Sequence, residues 1–437
     1  MRQELIVDAL NLLEDDILEE TDKLRKHGST AHGSTAAVRW RRMGAGIAAC
    51  FVLACSGLIF YCYKNMEIVN EPFVSEAPPD ISGTDIPNVS EETLPSDGVE
   101  DGLPLLSAMD FSAMGTGFGG EMAYGVSELI SGNPWSETDR ILTLPVYRNP
   151  INIDENAGFM VTGMNVAKMW EVLQKTVDRL GLDNDSLEMT GPSVDLNPAE
   201  PVAVEAAVVS AKGDGIELEV NASLTVEIIF DPPATLPDSY NNYYYASYEE
   251  KAALGQYLQD AYRNLIGWDE PTLVIAGGGY DIYANQSYGV EFFNGEGDLT
   301  EKILNFNFDR IVFYGNSYEN QLDRIRIFQS DRSQKLGDYP IITAEKAREL
   351  LLEGKYVTSV PYEVPGEEYV ASVELVYSTG EMDEYFMPYY RFYVELPEER
   401  NVHQEAQERE LLTYGIYYVP AVEEKYLDGK PLWHFNF

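Results

Sequence analysis

The longest uncharged stretch of the chain covers residues 43–63, which comprise 21 positions. At ~1.5 Å of rise per residue they would form a helix of roughly 31 Å, which matches the hydrocarbon thickness of a bilayer. Arg39, Arg41 and Arg42 precede this stretch, and Lys64 is the only basic residue close behind it. The pattern predicts a single-pass helix in contact with the lipid bilayer, with the N-terminus in the cytoplasm and the C-terminal region outside the cell.

Two other interpretations of this apolar segment are open. A cleaved signal peptide would begin near residue 1, whereas about 38 polar or amphipathic residues come first. Small residues before Cys50 and Cys55 have the spacing of a lipoprotein cleavage site, but apolar residues continue beyond Cys55. The sequence therefore favours an uncleaved anchor in the cell membrane.

The cytoplasmic part, residues 1–42, begins with an amphipathic pattern over residues 4–26. Its apolar positions recur at helical spacings of three, four and seven, and they are Leu5, Ile6, Ala9, Leu13, Ile17 and Leu24. The opposite side is acidic, so a protein is a better partner for this stripe than an anionic lipid surface. The alternative is a partly helical tail without a partner, because an isolated helix of this length is marginally stable in water. Residues 27–38 repeat H-G-S-T-A and are typical of a flexible tether.

Residues 64–105 are predicted to form a disordered acidic stalk. Residues 65–139 contain 15 Asp or Glu and no Lys or Arg, and the first 41 of these positions include six prolines. Random-coil statistics for the stalk give a separation of roughly 35 Å between the membrane and the folded part.

Beyond the stalk, the hydrophobic pattern predicts helices that are each followed by extended runs. The helices are 165–180, 248–266 and 343–353; the extended runs are 202–211, 216–230, 272–283, 289–293, 309–313, 322–328, 369–377 and 385–396. Helices on one face of antiparallel sheets are the α+β solution for such a pattern, built here from repeated helix-strand-strand units. We expect an extracellular α+β domain over residues 106–330 and a second α+β subdomain over residues 331–437.

Charge and cysteine content narrow the possible partners. The formal net charge of −43 belongs entirely to residues 65–437, since residues 1–64 hold eight basic and eight acidic side chains. Such a surface repels nucleic acid, so no nucleic-acid partner is expected. All three cysteines lie in the apolar segment, so the exported part has no disulfide framework and is large enough to fold without one.

No motif in the chain points to catalysis. G-x-S-x-G, H-E-x-x-H and S-x-x-K are absent, and no carboxylate pair stands out by its spacing. We therefore predict no enzyme, no cofactor, and no catalytic or metal-ligating residue. Ala276-Gly277-Gly278-Gly279-Tyr280 favours a strand bulge over a phosphate loop, because a helix does not follow it. Residues 294–298, NGEGD, favour a polar turn over a calcium loop.

The tyrosine clusters are open to two interpretations. Five tyrosines lie between Tyr240 and Tyr248, where surface contact and structural packing are equally good explanations. Tyr385, Tyr389, Tyr390 and Tyr393 are expected to lie in strands instead.

The first 63 residues carry a resemblance to a known group of proteins. The motifs that carry this resemblance are residues 8–20 (DALNLLEDDILEE), Lys23-Leu24-Arg25, Trp40-Arg41-Arg42 and the Ala/Cys-rich membrane segment. Together they resemble single-pass Firmicutes membrane proteins that are anti-sigma-factor-like and often encoded beside alternative sigma factors. Residues 127–130, 133–135, 143–147 and 359–362 are similar to elements of that group's outer region. The resemblance implies a regulatory role in which the cytoplasmic helix meets a sigma factor, although the zinc ligands of many cytoplasmic anti-sigma modules are absent here. The helix-strand-strand units also resemble envelope-sensing modules of the PepSY kind.

The sequence thus predicts a membrane-anchored regulatory or sensor protein. Its extracellular region would contact an envelope component of unknown identity, and its cytoplasmic helix would engage a regulatory partner. A passive envelope-binding module is the first alternative, and an exported hydrolase is the second.

Overall fold

The computed structural model describes residues 102–110, 118–155, 157–240, 246–315, 321–401 and 410–432. In these ranges the helices are α1 (Val166–Leu180), α2 (Tyr248–Ala261), α3 (Arg263–Ile266), α4 (Leu299–Phe308) and α5 (Ala344–Leu352). The strands are β1 (Gly120–Ala123), β2 (Thr143–Arg148), β3 (Asn152–Asp154), β4 (Met160–Thr162), β5 (Glu188–Thr190), β6 (Val202–Ala203), β7 (Val208–Gly213), β8 (Ile216–Asn221), β9 (Val226–Thr235), β10 (Pro271–Tyr280), β11 (Gln286–Asn294), β12 (Asp309–Gly315), β13 (Gln321–Gln329), β14 (Lys335–Pro340), β15 (Val370–Tyr377), β16 (Tyr385–Phe386), β17 (Pro388–Glu395) and β18 (Leu412–Pro420). All of these elements belong to one compact unit.

The protein is an α+β fold dominated by one 12-stranded sheet. Its strand order is β15-β17-β18-β1-β10-β11-β12-β13-β9-β8-β7-β5, and every pairing in it is antiparallel. Two three-stranded sheets, β14-β2-β16 and β3-β4-β6, accompany it. The predicted boundary near residue 331 falls between β13 and β14, and the large sheet takes strands from both sides of it.

One face of the large sheet is apolar and carries the helices. On this face α1 and α2 pack against the β7–β13 half in one hydrophobic cluster, and α5 packs against β15, β17 and β18 in another. Helix α1 packs on the sheet through one apolar side, because Met169, Leu173 and Val177 recur at intervals of four and are fully buried. Asn165 caps its first turn and Gly181, in the left-handed conformation, ends it.

The first half of the sheet curls strongly about its other face. Residues of β15 and of β12, which are six strands apart, line the same cavity. In a flat sheet, six spacings of ~4.8 Å would separate these strands by about 29 Å. Helix α4 contacts strands from both sides of the curl. Phe306 packs on β10 and β11, and Phe308 packs beside Tyr377 of β15.

A segment that we call the strap, residues 125–135, closes the curl on the inside. Ile130 exchanges backbone hydrogen bonds of 2.7 and 2.8 Å with Gly277 of β10. At its other end the Asn133 side chain donates to the carbonyl of Leu375 in edge strand β15, at 3.0 Å. Trp135 then packs edge-on against Tyr390 within the apolar core on the far side of the sheet. The strap therefore joins β10 to β15 and covers an exposed sheet edge.

The glycine run in β10 permits the close approach of the strap. Gly277 and Gly278 have φ of +105° and +94°, and the β10–β11 register shifts between Gly277 and Tyr280. A Cβ on Gly278 would overlap the carbonyl oxygen of Glu128 in the strap. The predicted strand bulge is confirmed, and its physical cause is this contact together with backbone conformations that favour glycine.

Several sequence predictions are confirmed in outline. The three helices lie where they were expected, the second as α2 followed by the short α3, and β12 and β13 form the predicted hairpin. Residues 294–298 form a turn, and Asp298 in it caps α4. The sequence analysis missed α4 and β18. Four predicted strands were too long. Residues 202–211 divide into β6 and β7, residues 216–230 into β8 and β9, and residues 385–396 into β16 and β17. Strand β10 ends at Tyr280 because Asp281 accepts the backbone amides of Tyr283 and Asn285 in a turn.

The remaining expectations concern the N-terminal region. The predicted cytoplasmic helix, the membrane segment and residues 64–101 lie outside the described residues. No helix within the described ranges has the length and apolar character needed to cross a membrane.

Replacing Gly278 by alanine is predicted to weaken the attachment of the strap. The new Cβ has no room beside Glu128 and the φ of +94° is unfavourable for it, so we expect a loss of roughly 2 kcal/mol or more in unfolding free energy. Urea titration measures this loss. Gly289→Ala in β11 is the matched control, because its nearest heavy atom lies at 3.9 Å, and it should change stability by less than about 1 kcal/mol. Equal losses in the two variants would contradict this role of Gly278.

Candidate functional site

The candidate site lies on the face of the large sheet opposite α1, α2 and α5. Since side chains alternate across a strand and pair across the ladder, the strand registers identify one polar face that we call the inner face. Its charged members include Glu121, Glu188, Lys212, Glu217, Glu219, Glu227, Glu291, Arg310, Arg324, Arg326, Glu374, Arg391 and Glu395. The curl of the first seven strands places part of this face inside the fold.

An alternating stack of three arginines and three aromatic rings runs along the inner face. Arg310 lies over the rings of Phe306 and Phe328, with its guanidinium carbon 5.8 and 5.4 Å from their centroids. Arg326 follows between Phe328 and Tyr314 at 5.6 and 5.9 Å, and Arg324 lies over Tyr314 at 5.4 Å. Each such contact stabilises by roughly 0.5–1 kcal/mol, so the stack holds these strands rigidly beside the cavity.

Carboxylates neutralise the stacked arginines. Glu227 pairs with both Arg326 and Arg324, the latter at 3.6 Å, and Glu291 accepts a hydrogen bond of 3.1 Å from Arg310. The Nε atoms of Arg310 and Arg326 are buried without a hydrogen-bond acceptor among the described residues. Because aromatic rings lie against these guanidinium planes, we interpret the stack as a structural support and not as a binding surface.

A cavity of about 400 Å³, which we call the polar cavity, lies where the curled inner face, the strap and α4 meet. Eight strands or segments contribute its polar lining, which includes Glu121, Ser131, Glu291, Asn307, Arg310, Ser378, Thr379, Arg391, Tyr393 and Tyr418. This volume falls in the range of sites for small molecules, at the lower end. A smaller cavity of about 240 Å³ shares Asn307, Arg310 and Thr379 with it and extends the polar region.

At one wall of the cavity, Arg391 and Glu374 form a fully engaged pair. Glu374 Oε2 accepts hydrogen bonds from Nε of Arg391, at 2.9 Å, and from its Nη2. The other carboxylate oxygen of Glu374 accepts from the Ser131 hydroxyl of the strap. The guanidinium of Arg391 also lies 5.5 Å from the ring centroid of Tyr393. Burial raises the pKa of the Tyr393 hydroxyl well above 10, which keeps it a neutral donor and acceptor.

Glu121 of β1 differs from the other carboxylates of the cavity. Among the described residues it has neither a hydrogen-bond donor nor an ion-pair partner. Burial raises the pKa of its carboxyl above the ordinary 4.5; Arg391 opposes this rise, and the charge of Glu374 adds to it. Its Oε2 lies against the backbone of β10, where a Cβ on Gly279 would be 3.0 Å away. Perturbed, unpaired carboxylates in cavities are typical of functional sites.

Two larger concave regions are weaker candidates. A groove of about 1100 Å³ between α1 and α3 is broad and lined mostly by surface side chains such as Glu171, Lys175 and Arg263. A cavity of about 650 Å³ borders Asp110 and Leu432, where two described segments end, so its described wall is incomplete. The polar cavity is lined mainly by residues of β1, β10, β11, β12, β15, β17, β18, α4 and the strap.

The sequence analysis named no catalytic, cofactor or metal residue, and the structure now provides site residues that it missed. In the described ranges no group of three or more His, Asp or Glu side chains is arranged to hold a metal ion. Tyr385, Tyr389, Tyr390 and Tyr393 lie in β16 and β17 as predicted. From the 240–248 cluster, Tyr240 packs on Tyr257 and Tyr248 on Tyr288, while residues 241–245 lie outside the described ranges.

One sequence signal pointed toward the inner face. The alternation of charge with apolar residues in β13, Arg324-Ile325-Arg326-Ile327, places both arginines on one face of a strand. No comparable signal marked Glu121, since β1 has only four residues.

Comparison of the chain with protein-family models, curated proteins and solved structures finds no match. The chemistry of the cavity is therefore argued from its own residues.

Replacing Glu121 by glutamine is predicted to stabilise the fold in a pH-dependent way. A raised carboxyl pKa means that the folded state gains stability from the protonated form at low pH and loses it as the pH rises through that pKa. Glutamine resembles the protonated form at every pH. We expect Glu121→Gln to raise the melting temperature by roughly 2 °C at pH 7.5, the shift that about 1 kcal/mol produces in a domain of this size, and to have little effect at pH 4.

Thermal unfolding at the two pH values checks this expectation. Glu219→Gln is the matched control, because Glu219 is a half-buried glutamate of the same inner face in β8 and lies outside the cavity. An offset that is equal at pH 4 and 7.5 for Glu121→Gln would contradict the account of this carboxyl.

Proposed function

We propose that this protein is a single-pass, N-in membrane regulator whose outer α+β domain binds an envelope component in the polar cavity. The observation that carries the proposal is the cavity itself: a space of about 400 Å³ with one partly buried carboxylate that has no partner among the described residues. A sheet face that served only for solvation would not need to enclose its charges. The strap and α4 form two walls of this space, so a ligand in it would contact several elements at once.

The regulatory half of the proposal rests on the sequence of residues 1–63. The apolar segment supplies the anchor, and the stripe of the N-terminal helix offers a cytoplasmic partner surface. The resemblance implies a sigma factor as that partner. Coupling across one membrane helix requires either a change in oligomeric state or regulated proteolysis. Gly44 and Ala48 give the membrane segment a small-xxx-small pattern that permits close helix pairing.

The state of the cavity carboxylates favours binding over catalysis. An exported hydrolase of the two-carboxylate type needs a raised acid and a second available carboxylate. Glu121 fits the first role, but Glu374 is engaged on both oxygens and Glu291 is paired with Arg310. We therefore keep hydrolysis as the third candidate and propose that the protein is not an enzyme.

The test of the regulatory role changes the apolar stripe in the full-length protein. Leu13→Asp combined with Ile17→Asp places two charges on the stripe, and we expect this variant to lose its cytoplasmic partner and to alter transcript levels in its native host. Asn11→Asp combined with Leu18→Asp adds the same charges, but at 100° per residue these positions face away from the stripe. This control should behave like the unchanged protein.

Co-purification of the full-length protein from membranes and transcript profiling are the two measurements. If both double variants match the unchanged protein in partners and transcripts, the regulatory role is wrong. Deletion of residues 1–38 then separates the first alternative: under a passive envelope-binding role, binding to envelope material survives and no transcript changes.

A further inference from the structure

We propose that the polar cavity binds the positively charged amine of an organic ligand, with Glu121 as its counter-charge. The ligand class is a primary ammonium group on a small polar carrier, such as an amino sugar or the free amino end of a short peptide. This inference rests on the proposed binding function, which it makes chemically specific.

The first argument for a bound amine is the charge balance of the cavity. Two arginines and two glutamates line the cavity, and Glu374 lies beside one of these arginines. Arg391 pairs with Glu374, Arg310 pairs with Glu291, and Glu121 remains. A carboxylate with no opposite charge costs free energy when it is partly buried. A bound ammonium group supplies the missing charge, whereas a bound anion would have to displace one of the existing carboxylates.

The second argument is the volume and the lining of the cavity. A volume of about 400 Å³ suits a ligand the size of one sugar or two amino acid residues. The surrounding groups are hydroxyls and amides, from Ser378, Thr379, Tyr393 and Asn307, together with the ring of Phe306. These groups suit a polar organic carrier better than a bare metal ion, which prefers several carboxylate or carbonyl oxygens around it.

Proton linkage follows from the environment of Glu121. The titratable and charged groups that line the cavity around it are Glu291, Arg310, Tyr377, Arg391, Tyr393 and Tyr418, with Glu374 beside Arg391. Because the ammonium group requires the ionised carboxylate, binding should release a proton and weaken as the pH falls through the raised pKa of Glu121. The affinity should therefore increase between pH 4.5 and pH 7.

The experiment titrates full-length protein in detergent micelles with matched pairs of small probes. Glucosamine is compared with N-acetylglucosamine, and glycinamide with N-acetylglycinamide, by calorimetry at pH 4.5 and pH 7. Each pair differs in the charged amine, and the two pairs distinguish an amino sugar from a peptide amine as the source. We expect at least one amine to bind at pH 7, with at least tenfold weaker binding of its acetylated partner and with weaker binding of the same amine at pH 4.5.

Variants assign the effect to the site. Glu121→Gln should reduce amine binding at least tenfold at pH 7, whereas Glu219→Gln on the same inner face should leave it unchanged. Circular dichroism and melting temperature establish that both variants are folded. Equal binding of the amine and its acetylated partner, equal binding to wild type and Glu121→Gln, or no binding of either amine would each overturn the inference.

A parallel titration with solubilised cell-envelope fragments distinguishes a failure of this inference from a failure of the proposed envelope-binding function. Fragments that bind wild type and Glu121→Gln equally would leave the binding function in place and exclude an amine at Glu121. If no envelope fragment and no amine binds, the proposed binding function fails as well.

Discussion

The structure depends on an asymmetry of its 12-stranded sheet: α1, α2 and α5 cover one face with a hydrophobic layer, whereas the other face is largely polar. On the covered face, apolar side chains from both halves of the sheet form the main hydrophobic clusters with α1, α2 and α5. On the inner face, charged side chains must find partners among themselves, and most do so across neighbouring strands. The Arg–aromatic stack and the pairs at Glu227 and Glu291 are the outcome over β9 to β13.

The curl of β15 to β12 converts part of this polar face into an interior. Polar groups inside a protein need partners, and the pairing of Arg391 with Glu374 and Ser131 meets that requirement completely. Glu121 is the exception in the same space. Natural folds are locally consistent except at functional or strained sites, so the unpaired carboxylate is the position at which we propose that a ligand binds.

Sequence reasoning recovered the elements that local pattern determines. Helices α1, α2 and α5 follow from periodic apolar residues and capping side chains such as Asn165 and Thr343, and the β12–β13 hairpin follows from two apolar runs around a turn. Helix α4 was missed although Asp298 and Glu301 form a capping box before it, because its 10 residues are short and the preceding glycines suggested only a turn. The strap has no periodic pattern, so it was unpredictable from local sequence.

The candidate site was beyond such reasoning for a different reason. Glu121, Arg310 and Arg391 are separated by many positions in the chain, and they meet only because β1 lies between β18 and β10 in a curled sheet. Strand order of this kind is a non-local property, and no single pair of residues encodes it. The glycine run at 277–279 was interpretable as a bulge, but its contact with the strap required the fold.

The most direct test of the account is hydrogen exchange across the strap in the presence of ligand. The amides of Ile130 and Gly277, which hold the strap to β10, and that of Tyr377, which donates to Asn307 at 2.9 Å, surround the cavity. With solubilised envelope fragments present, exchange at these three amides should slow together, while exchange in the distant β7–β8 hairpin stays unchanged. Slowed exchange confined to other regions, or no change at the three amides while the fragments are bound, would contradict the claim that the strap-closed cavity is the binding site.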